Sequence, residues 1–166
     1  MSNSTTPGKV QRTLNGRYID ALTIDFWSTL AVDNHMTDRR YMRRDLVKTW
    51  FAEHDVQMSD DDVYALLKRF AKIWHDSWLN KQFTPTALDA VNWLASQAGI
   101  QTSEDECDKL AVKLDDTLKS YPPVPVDGAL DAIRTLAQKF PLALICDTGL
   151  ASGRNITWAL ETWGVR

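Results

Sequence analysis

Two short apolar segments, each followed by a polar turn that contains an aspartate, place the strongest constraint on the fold. Residues 18–24 are mostly apolar and lead into Asp25, and the apolar residues 142–146 lead into Asp147. Such runs are typical of buried strands in a parallel sheet. Because open α/β sheets bind ligands at the carboxyl ends of their strands, Asp25 is a candidate site residue. An aspartate that only caps the next turn is the alternative.

The long segment between these two strands has the periodicity of helices. Apolar residues recur at helical spacing in segments 37–54, 59–79, 84–98 and 103–118, the last opening with the capping-box pair Ser103 and Glu106. The segment Thr84-Pro85 is interpreted as the start of the third helix, with proline at its first position. Two more helices are predicted at 127–139 and 152–163.

These elements predict a division of the chain into three parts. Residues 1–16 are expected to form a flexible tail. Residues 17–34 and 121–166 are predicted to form an α/β core, and residues 35–120 a four-helix unit inserted into it. The proline-rich stretch 121–127 cannot continue a helix and marks the return to the core.

Charge and composition exclude several classes of function. A formal net charge of -3 argues against broad binding to nucleic acid or a membrane surface. No apolar run reaches the roughly 18 residues of a membrane span, and the polar start lacks the core of a signal peptide. The two cysteines are far apart in the sequence, so we expect a reducing, cytoplasmic setting.

Two short motifs resemble those of the haloacid dehalogenase (HAD) superfamily of hydrolases. Residues 25–30, Asp-Phe-Trp-Ser-Thr-Leu, align without a gap with the first motif of that family, and residues 144–149, Leu-Ile-Cys-Asp-Thr-Gly, are similar to the second. The resemblance implies a partial Rossmann-like parallel sheet core with an inserted four-helix α-helical cap. It covers residues of about 18 to 164, but only the two motifs are specific.

The resemblance also implies a chemistry. Asp25 holds the position of a carboxylate nucleophile, which divides one difficult displacement into two easier steps. In a phosphatase, Mg2+ would bind the Asp25 carboxylate and the Trp27 carbonyl, whereas a dehalogenase needs no cofactor. Ser28, Asp147 and Thr148 would contribute backbone amides to an anion site.

The sequence departs from the family pattern at two site positions. Trp27 stands where phosphatases carry a second aspartate for proton transfer, and dehalogenases resemble this chain better there; simple core packing is the alternative. Cys146 replaces a hydroxyl residue of the second motif, and a thiol is a weaker donor to an anion. A small buried cysteine without a chemical role is the other interpretation.

Four arginines at the start of the first helix form two adjacent rows, of which Arg39 and Arg43 are candidate substrate-binding residues. They would face the site and attract a small anionic substrate. The alternative is an ordinary solvated helix face.

Two functions are compatible with these residues. The first is a HAD-like hydrolase acting on a small phosphorylated or halogenated acid. The second is a catalytically inactive interaction module, since the lysine and acidic motifs that the family places later are not found before Arg166. We therefore expect a truncated chain of impaired activity, whose open sheet edges are covered by self-association or by a partner.

Overall fold

The computed structural model describes residues 13–14 and 17–165. The elements in chain order are β1 (Thr13–Leu14), β2 (Arg17–Tyr18), β3 (Leu22–Asp25), β4 (Ala31–Val32), α1 (Met36–Glu53), α2 (Asp60–Lys81), α3 (Ala87–Ala98), α4 (Glu104–Ser120), β5 (Val124–Pro125), α5 (Ala129–Ala137), β6 (Leu142–Ile145) and α6 (Gly153–Thr162). The predicted α/β class is confirmed as a mixed fold with six helices and a small parallel sheet in the described part of the chain. Strand β1 falls within the predicted tail, and most of that tail lies outside the described residues.

Strands β3 and β6 form the parallel pair that the sequence predicts. Their register aligns Leu22 with Leu142 and Asp25 with Ile145. The chain between them runs through α1 to α5, while β4 pairs with β5 and β1 with β2 in antiparallel fashion. This register brings Asp25 and the turn after β6 to the same end of the sheet.

The prediction that these strands are buried on both faces is wrong. Leu22 and Ile24 are half-buried, but Thr23 and Asp25 are exposed, and Ile145 on β6 is 61% exposed. The apolar cluster of α5 and α6 covers one face of the pair. A sheet of two strands has an edge on each strand, so covering one face leaves much of its surface exposed.

Helices α1 to α4, here called the helical unit, pack around one apolar cluster. Its centre is formed by completely buried side chains from three helices, Val47, Phe51, Val63 and Val91. Ser59 and Ser103 cap α2 and α4, and Ser103 forms the predicted capping box with Glu106. The predicted start of α3 is wrong: Thr86 forms the cap and box, and the helix begins at Ala87, after Pro85.

Strands β3 to β6 with α5 and α6, here called the core unit, pack around Phe26 and Ile156. A polar contact joins the two units, because the buried carboxylate of Asp115 on α4 accepts hydrogen bonds from the backbone N–H and hydroxyl of Ser152, at 2.7 and 2.6 Å. Ser152 is the residue at which α6 begins. This contact fixes α4 against the first turn of α6.

Among the described residues, no helix combines the length and apolar character needed to cross a membrane.

Candidate functional site

Asp25 ends β3 and is followed by a tight turn. The hydroxyl of Thr29 donates to the Asp25 carboxylate at 3.2 Å, and the amides of Leu30 and Ala31 both donate to the carbonyl of Phe26. These bonds order the turn and hold one carboxylate oxygen of Asp25. Because Asp25 accepts a hydrogen bond from within its own turn, the geometry is also compatible with the alternative that Asp25 only caps this turn.

Ser28 lies at the tip of this turn with a φ of 61°. Its backbone amide donates to the carbonyl of Ala31 at 2.8 Å. The amide that the sequence assigned to an anion site is therefore already paired, and only the exposed hydroxyl of Ser28 remains for a ligand.

The second predicted turn, after β6, is attached to helix α2. The two carboxylate oxygens of Asp147 accept from the Trp78 indole Nε1 at 2.6 Å and from the Thr84 hydroxyl at 3.3 Å. Thr148 accepts from the amide of Ala151 at 2.9 Å. The helical unit thus contacts the end of β6 directly.

Cys146 lies between the two predicted turns and packs against the apolar cluster around Phe26. Burial, together with the negative charges of Asp25 and Asp147, raises the pKa of its thiol to about 11. At neutral pH the thiol is protonated, which favours the packing interpretation over an anionic or nucleophilic role.

A cavity of about 610 Å³ lies between α1 and α2 on one side and the turn after β6 on the other. It brings together five of the predicted site residues: Trp27, Arg39, Arg43, Asp147 and Thr148. The other three do not line it: Ser28 and Cys146 are chain neighbours of the lining residues Trp27 and Asp147, and Asp25 lies two residues before Trp27. A second hollow, of about 670 Å³ between α1 and α4, contains none of the predicted site residues.

The four arginines of α1 form two rows. They are here called the buried row, in which Arg39 is buried and Arg43 half-buried, and the exposed row, in which Arg40 is exposed and Arg44 half-buried. Arg39 is only 2% exposed, forms a salt bridge with Asp33 and donates to the carbonyl of Tyr121. Arg40 is exposed, and Arg44 pairs with acidic residues on the outer surface. The solvated-face alternative is therefore wrong for the row that contains Arg39.

Arg43 belongs to the buried row but has no salt bridge with a described residue. Its Nε donates to the hydroxyl of Thr117 at 2.9 Å. Burial and the neighbouring positive charge of Arg39 lower its pKa to about 10. Arg43 therefore remains charged at neutral pH in surroundings that disfavour the charge.

Aromatic residues of α2 form a wall of the cavity, and the sequence interpretation did not include them in the site. Tyr64, Phe70 and Trp74 line the cavity, and Trp74 stacks on Trp78 with ring centroids 6.1 Å apart. Trp74 also lies against Gly149, where an added Cβ would come within 3.1 Å of the indole nitrogen. The spacing of these residues on one stripe predicted a helix face, but it did not indicate what that face contacts.

Within the described part of the chain, no group of three or more histidine, cysteine or acidic side chains is positioned to hold a metal ion. The Asp147 carboxylate is occupied by Trp78 and Thr84. Of the carboxylates at the strand ends, only Asp25 is left for a hard cation such as Mg2+. The assignment of Mg2+ to Asp25 and Trp27 stays a prediction.

Comparison with known proteins gives distant structural similarity only. No family model and no curated protein matches the chain. The fold is similar to the crystal structure of a predicted phosphoglycolate phosphatase from Haemophilus somnus 129PT, with 14% identity, a TM-score of 0.42, and coverage of 88% of this chain and 58% of that one. It is also similar to a haloacid dehalogenase-like family hydrolase from Xanthomonas campestris, with 13% identity, a TM-score of 0.41, and coverage of 88% and 57%. The chain thus spans less than three fifths of the length of either structure.

Proposed function

We propose that this chain belongs to a HAD-like hydrolase in which Asp25 attacks an organic acid, with the helical unit as a cap. The observation that carries the proposal is the position of Asp25 at the carboxyl end of one of two parallel strands, two residues before Trp27, which lines a cavity together with the buried Arg39 and the half-buried Arg43. A carboxylate nucleophile and a positively charged binding cavity are the two parts that such a reaction needs.

The proposed reaction is a substitution in two steps. A carboxylate oxygen of Asp25 attacks the carbon that carries a halogen, a C–O bond forms, the C–X bond breaks, and halide leaves with the bonding electrons. Water then attacks the carbonyl carbon of the aspartyl ester, releasing a hydroxy acid, a proton and free Asp25. The sum is R–X + H2O → R–OH + HX, with no oxidant or reductant.

The site favours a halogenated acid over a phosphorylated one. Halide is a good leaving group and needs no general acid, and at the position of the phosphatase acid this chain has Trp27, which cannot transfer a proton. Trp27 packs edge-on against Phe26 at 4.9 Å and also lines the cavity, so its core-packing and site interpretations are compatible.

A catalytically inactive interaction module is the second candidate. Asp25 does not line the cavity, and its Oδ2 is already bonded to Thr29. The exposed β6 residues Leu144 and Ile145 offer a surface for self-association or for a partner strand. In this case the cavity would bind a ligand without turning it over.

Turnover separates the two candidates. A panel of 2-haloacids and phosphomonoesters is incubated with the wild-type chain, Asp25→Asn and the matched control Asp20→Asn, an exposed aspartate before β3. We expect halide release that falls by about 10³-fold or more in Asp25→Asn and is unchanged in Asp20→Asn. A single turnover in 18O-labelled water should place 18O in the Asp25 carboxylate, detected by mass spectrometry of the peptide.

The absence of halide and phosphate release from the wild-type chain, or equal rates in Asp25→Asn and wild type, would overturn the hydrolase proposal. Phosphate release in place of halide would replace the dehalogenase version with a phosphatase.

A further inference from the structure

We infer that the cavity over the strand ends binds a monocarboxylic acid with a planar apolar body, through Arg43 and an aromatic wall on α2. This inference names the substrate class of the proposed function. It rests on that function only for the claim that the bound acid is then hydrolysed. The binding itself is independent of turnover.

The first argument is the unused hydrogen-bonding capacity of Arg43. Its Nε is bonded to Thr117. Neither of its two terminal nitrogens donates to a residue in the described part of the chain. A guanidinium whose terminal pair is unoccupied matches the two oxygens of a carboxylate. Arg43 is half-buried, and the carboxylates of Asp33 and Asp115 lie in its neighbourhood without forming a salt bridge with it. An anion that pairs directly with Arg43 therefore gains a partly desolvated charge interaction.

The second argument is that the other charged groups inside the cavity already have partners. Arg39 is bonded to Asp33 and to the Tyr121 carbonyl. Asp147 accepts from Trp78 and Thr84. Asp147 keeps its negative charge, but neutral donors hold both of its oxygens. Arg43 is the interior cation that has no salt bridge with a described residue, and a monoanion supplies that partner. Arg40 and Lys68 are exposed lining residues at the rim, where they attract an anion without being desolvated.

The third argument is the character and size of the walls. Trp27, Tyr64, Phe70 and Trp74 line the same cavity as Arg43. A volume of about 610 Å³ lies within the roughly 300–1,000 Å³ range of sites for drug-sized ligands. Flat aromatic walls stack well on planar apolar groups. An acid of two or three carbons would leave this wall in contact with water.

A carboxylate suits this site better than a phosphate. A phosphate monoester carries close to two negative charges at neutral pH, and one unpaired guanidinium neutralises only one of them. The indole nitrogen of Trp74, which has no partner among the described residues, is covered by Gly149 and does not supply a second donor in this conformation. Arg43 and the aromatic wall together therefore select a flat, largely apolar molecule that carries one negative charge.

The test measures binding to the Asp25→Asn chain, so that turnover plays no part. Isothermal titration calorimetry compares phenylacetate with propionate, phenylacetamide, phenyl phosphate and inorganic phosphate. We expect phenylacetate to bind about tenfold or more tightly than any of the other four, because only it provides both the ring and the single charge. The same titrations are repeated in Arg43→Gln and in the matched control Arg44→Gln, an arginine of the exposed row.

Arg43→Gln should weaken phenylacetate binding by about tenfold or more while Arg44→Gln leaves it unchanged. Circular dichroism confirms that each variant is folded. Tyr64→Ala, which removes one ring of the wall, should weaken the binding of phenylacetate but not the binding of propionate. Equal affinities for phenylacetate and propionate, tighter binding of either phosphate, or equal affinities in Arg43→Gln and Arg44→Gln would overturn the inference. Phenylacetate binding with no halide or phosphate release from the substrate panel, 2-chloro-2-phenylacetate included, by the wild-type chain would support the inference and refute the proposed function.

Discussion

The indole Nε1 of Trp78 donates a hydrogen bond of 2.6 Å to Oδ2 of Asp147, which joins helix α2 to the end of strand β6 across 69 residues of sequence. The same carboxylate accepts from Thr84, just after α2. Both oxygens of Asp147 are therefore held by hydrogen bonds, although the carboxylate keeps its negative charge. It holds the aromatic wall of α2 in place beside the strand ends.

Trp78→Phe keeps a ring at this position but removes the donor. We expect the free energy of unfolding to fall by about 1 kcal/mol, because the bond involves a charged acceptor but is exposed to solvent. Urea denaturation measures the change, and hydrogen exchange of the amides at 147–149 should become faster. Trp93→Phe is the matched control, since the indole of Trp93 packs at a tilt against Phe70, lies below Arg69 and has no hydrogen-bond acceptor among the described residues. Equal losses in both variants, with equal exchange at 147–149, would show that the hydrogen bond does not order this turn.

Asp115 makes the contact between α4 and α6 dependent on pH. Burial acts to raise the pKa of its carboxyl, but hydrogen bonds from Ser152 and Arg154 outweigh it and hold the pKa below its usual value. Since the pKa is lower in the folded state than in the unfolded chain, the carboxylate contributes stability above about pH 4, and that stability is lost as the pH falls through the folded pKa.

Asp115→Asn should therefore lower the free energy of unfolding at pH 7 by about 2 kcal/mol, and by much less below pH 4. Urea denaturation between pH 3 and 8 measures this difference. Asp108→Asn, an exposed aspartate on the same helix with no hydrogen-bond partner in the described part of the chain, should have little effect at any pH. A loss in Asp115→Asn that is the same at pH 3 and pH 7 would contradict the assigned role of the charge.

The features that the sequence predicts well are local. The capping box of Ser103 with Glu106 depends on residues within one helical turn, and it is present. The parallel pairing of β3 with β6 follows from two apolar runs joined by helices. The helix starts after Thr86 and not at the predicted Thr84-Pro85, because Thr86 forms a capping box with Asp89. That box pairs two backbone N–H groups at the start of the helix.

The features that the sequence does not predict depend on contacts between distant segments. The spacing of Arg39 and Arg43 places them in one row, but only the packing of α1 against α4 makes that row the buried one. Trp74 and Trp78 lie on one stripe of α2, and their spacing is the same whether that stripe packs inside the helical unit or against the turn after β6. The face that a helix presents to another part of the chain is a tertiary property, and periodicity does not specify its partner.

Cys146 provides a chemical test of the electrostatics at the strand ends. Its pKa of about 11, caused by burial and by the charges of Asp25 and Asp147, predicts slow alkylation by iodoacetamide at pH 8, with a rate that rises about tenfold for each pH unit up to pH 10. Asp25→Asn and Asp147→Asn should each increase the rate at pH 8, because each removes a negative charge near the thiolate. Peptide mass spectrometry measures the modification, with Asp20→Asn as the control. A rate that levels off near pH 9, or that is unaffected by both substitutions, would contradict this arrangement.

Arg43 and Arg39 should respond to substitution in opposite ways, although they share one row of α1. The pKa of Arg43 is lowered to about 10, chiefly by burial and then by Arg39. A basic group with a lowered folded pKa destabilises the fold at every pH below that value, and this cost disappears as the pH rises above it. Arg43→Gln should therefore raise the free energy of unfolding at pH 7 by about 1 kcal/mol.

Arg39→Gln, by contrast, removes a nearly inaccessible guanidinium and leaves the partly exposed Asp33 without its partner, so it should lower the free energy of unfolding by about 3 kcal/mol. Urea denaturation at pH 7, with and without saturating phenylacetate, measures both variants. Phenylacetate at about 100 times its wild-type dissociation constant should add about 2.7 kcal/mol to the wild-type chain, and about 1.4 kcal/mol or less to Arg43→Gln, which binds it about tenfold or more weakly. A charge that lowers stability in the empty cavity and raises it when an anion binds has the energetics of a binding residue. A loss of stability in Arg43→Gln as large as in Arg39→Gln would instead show that Arg43 stabilises the fold.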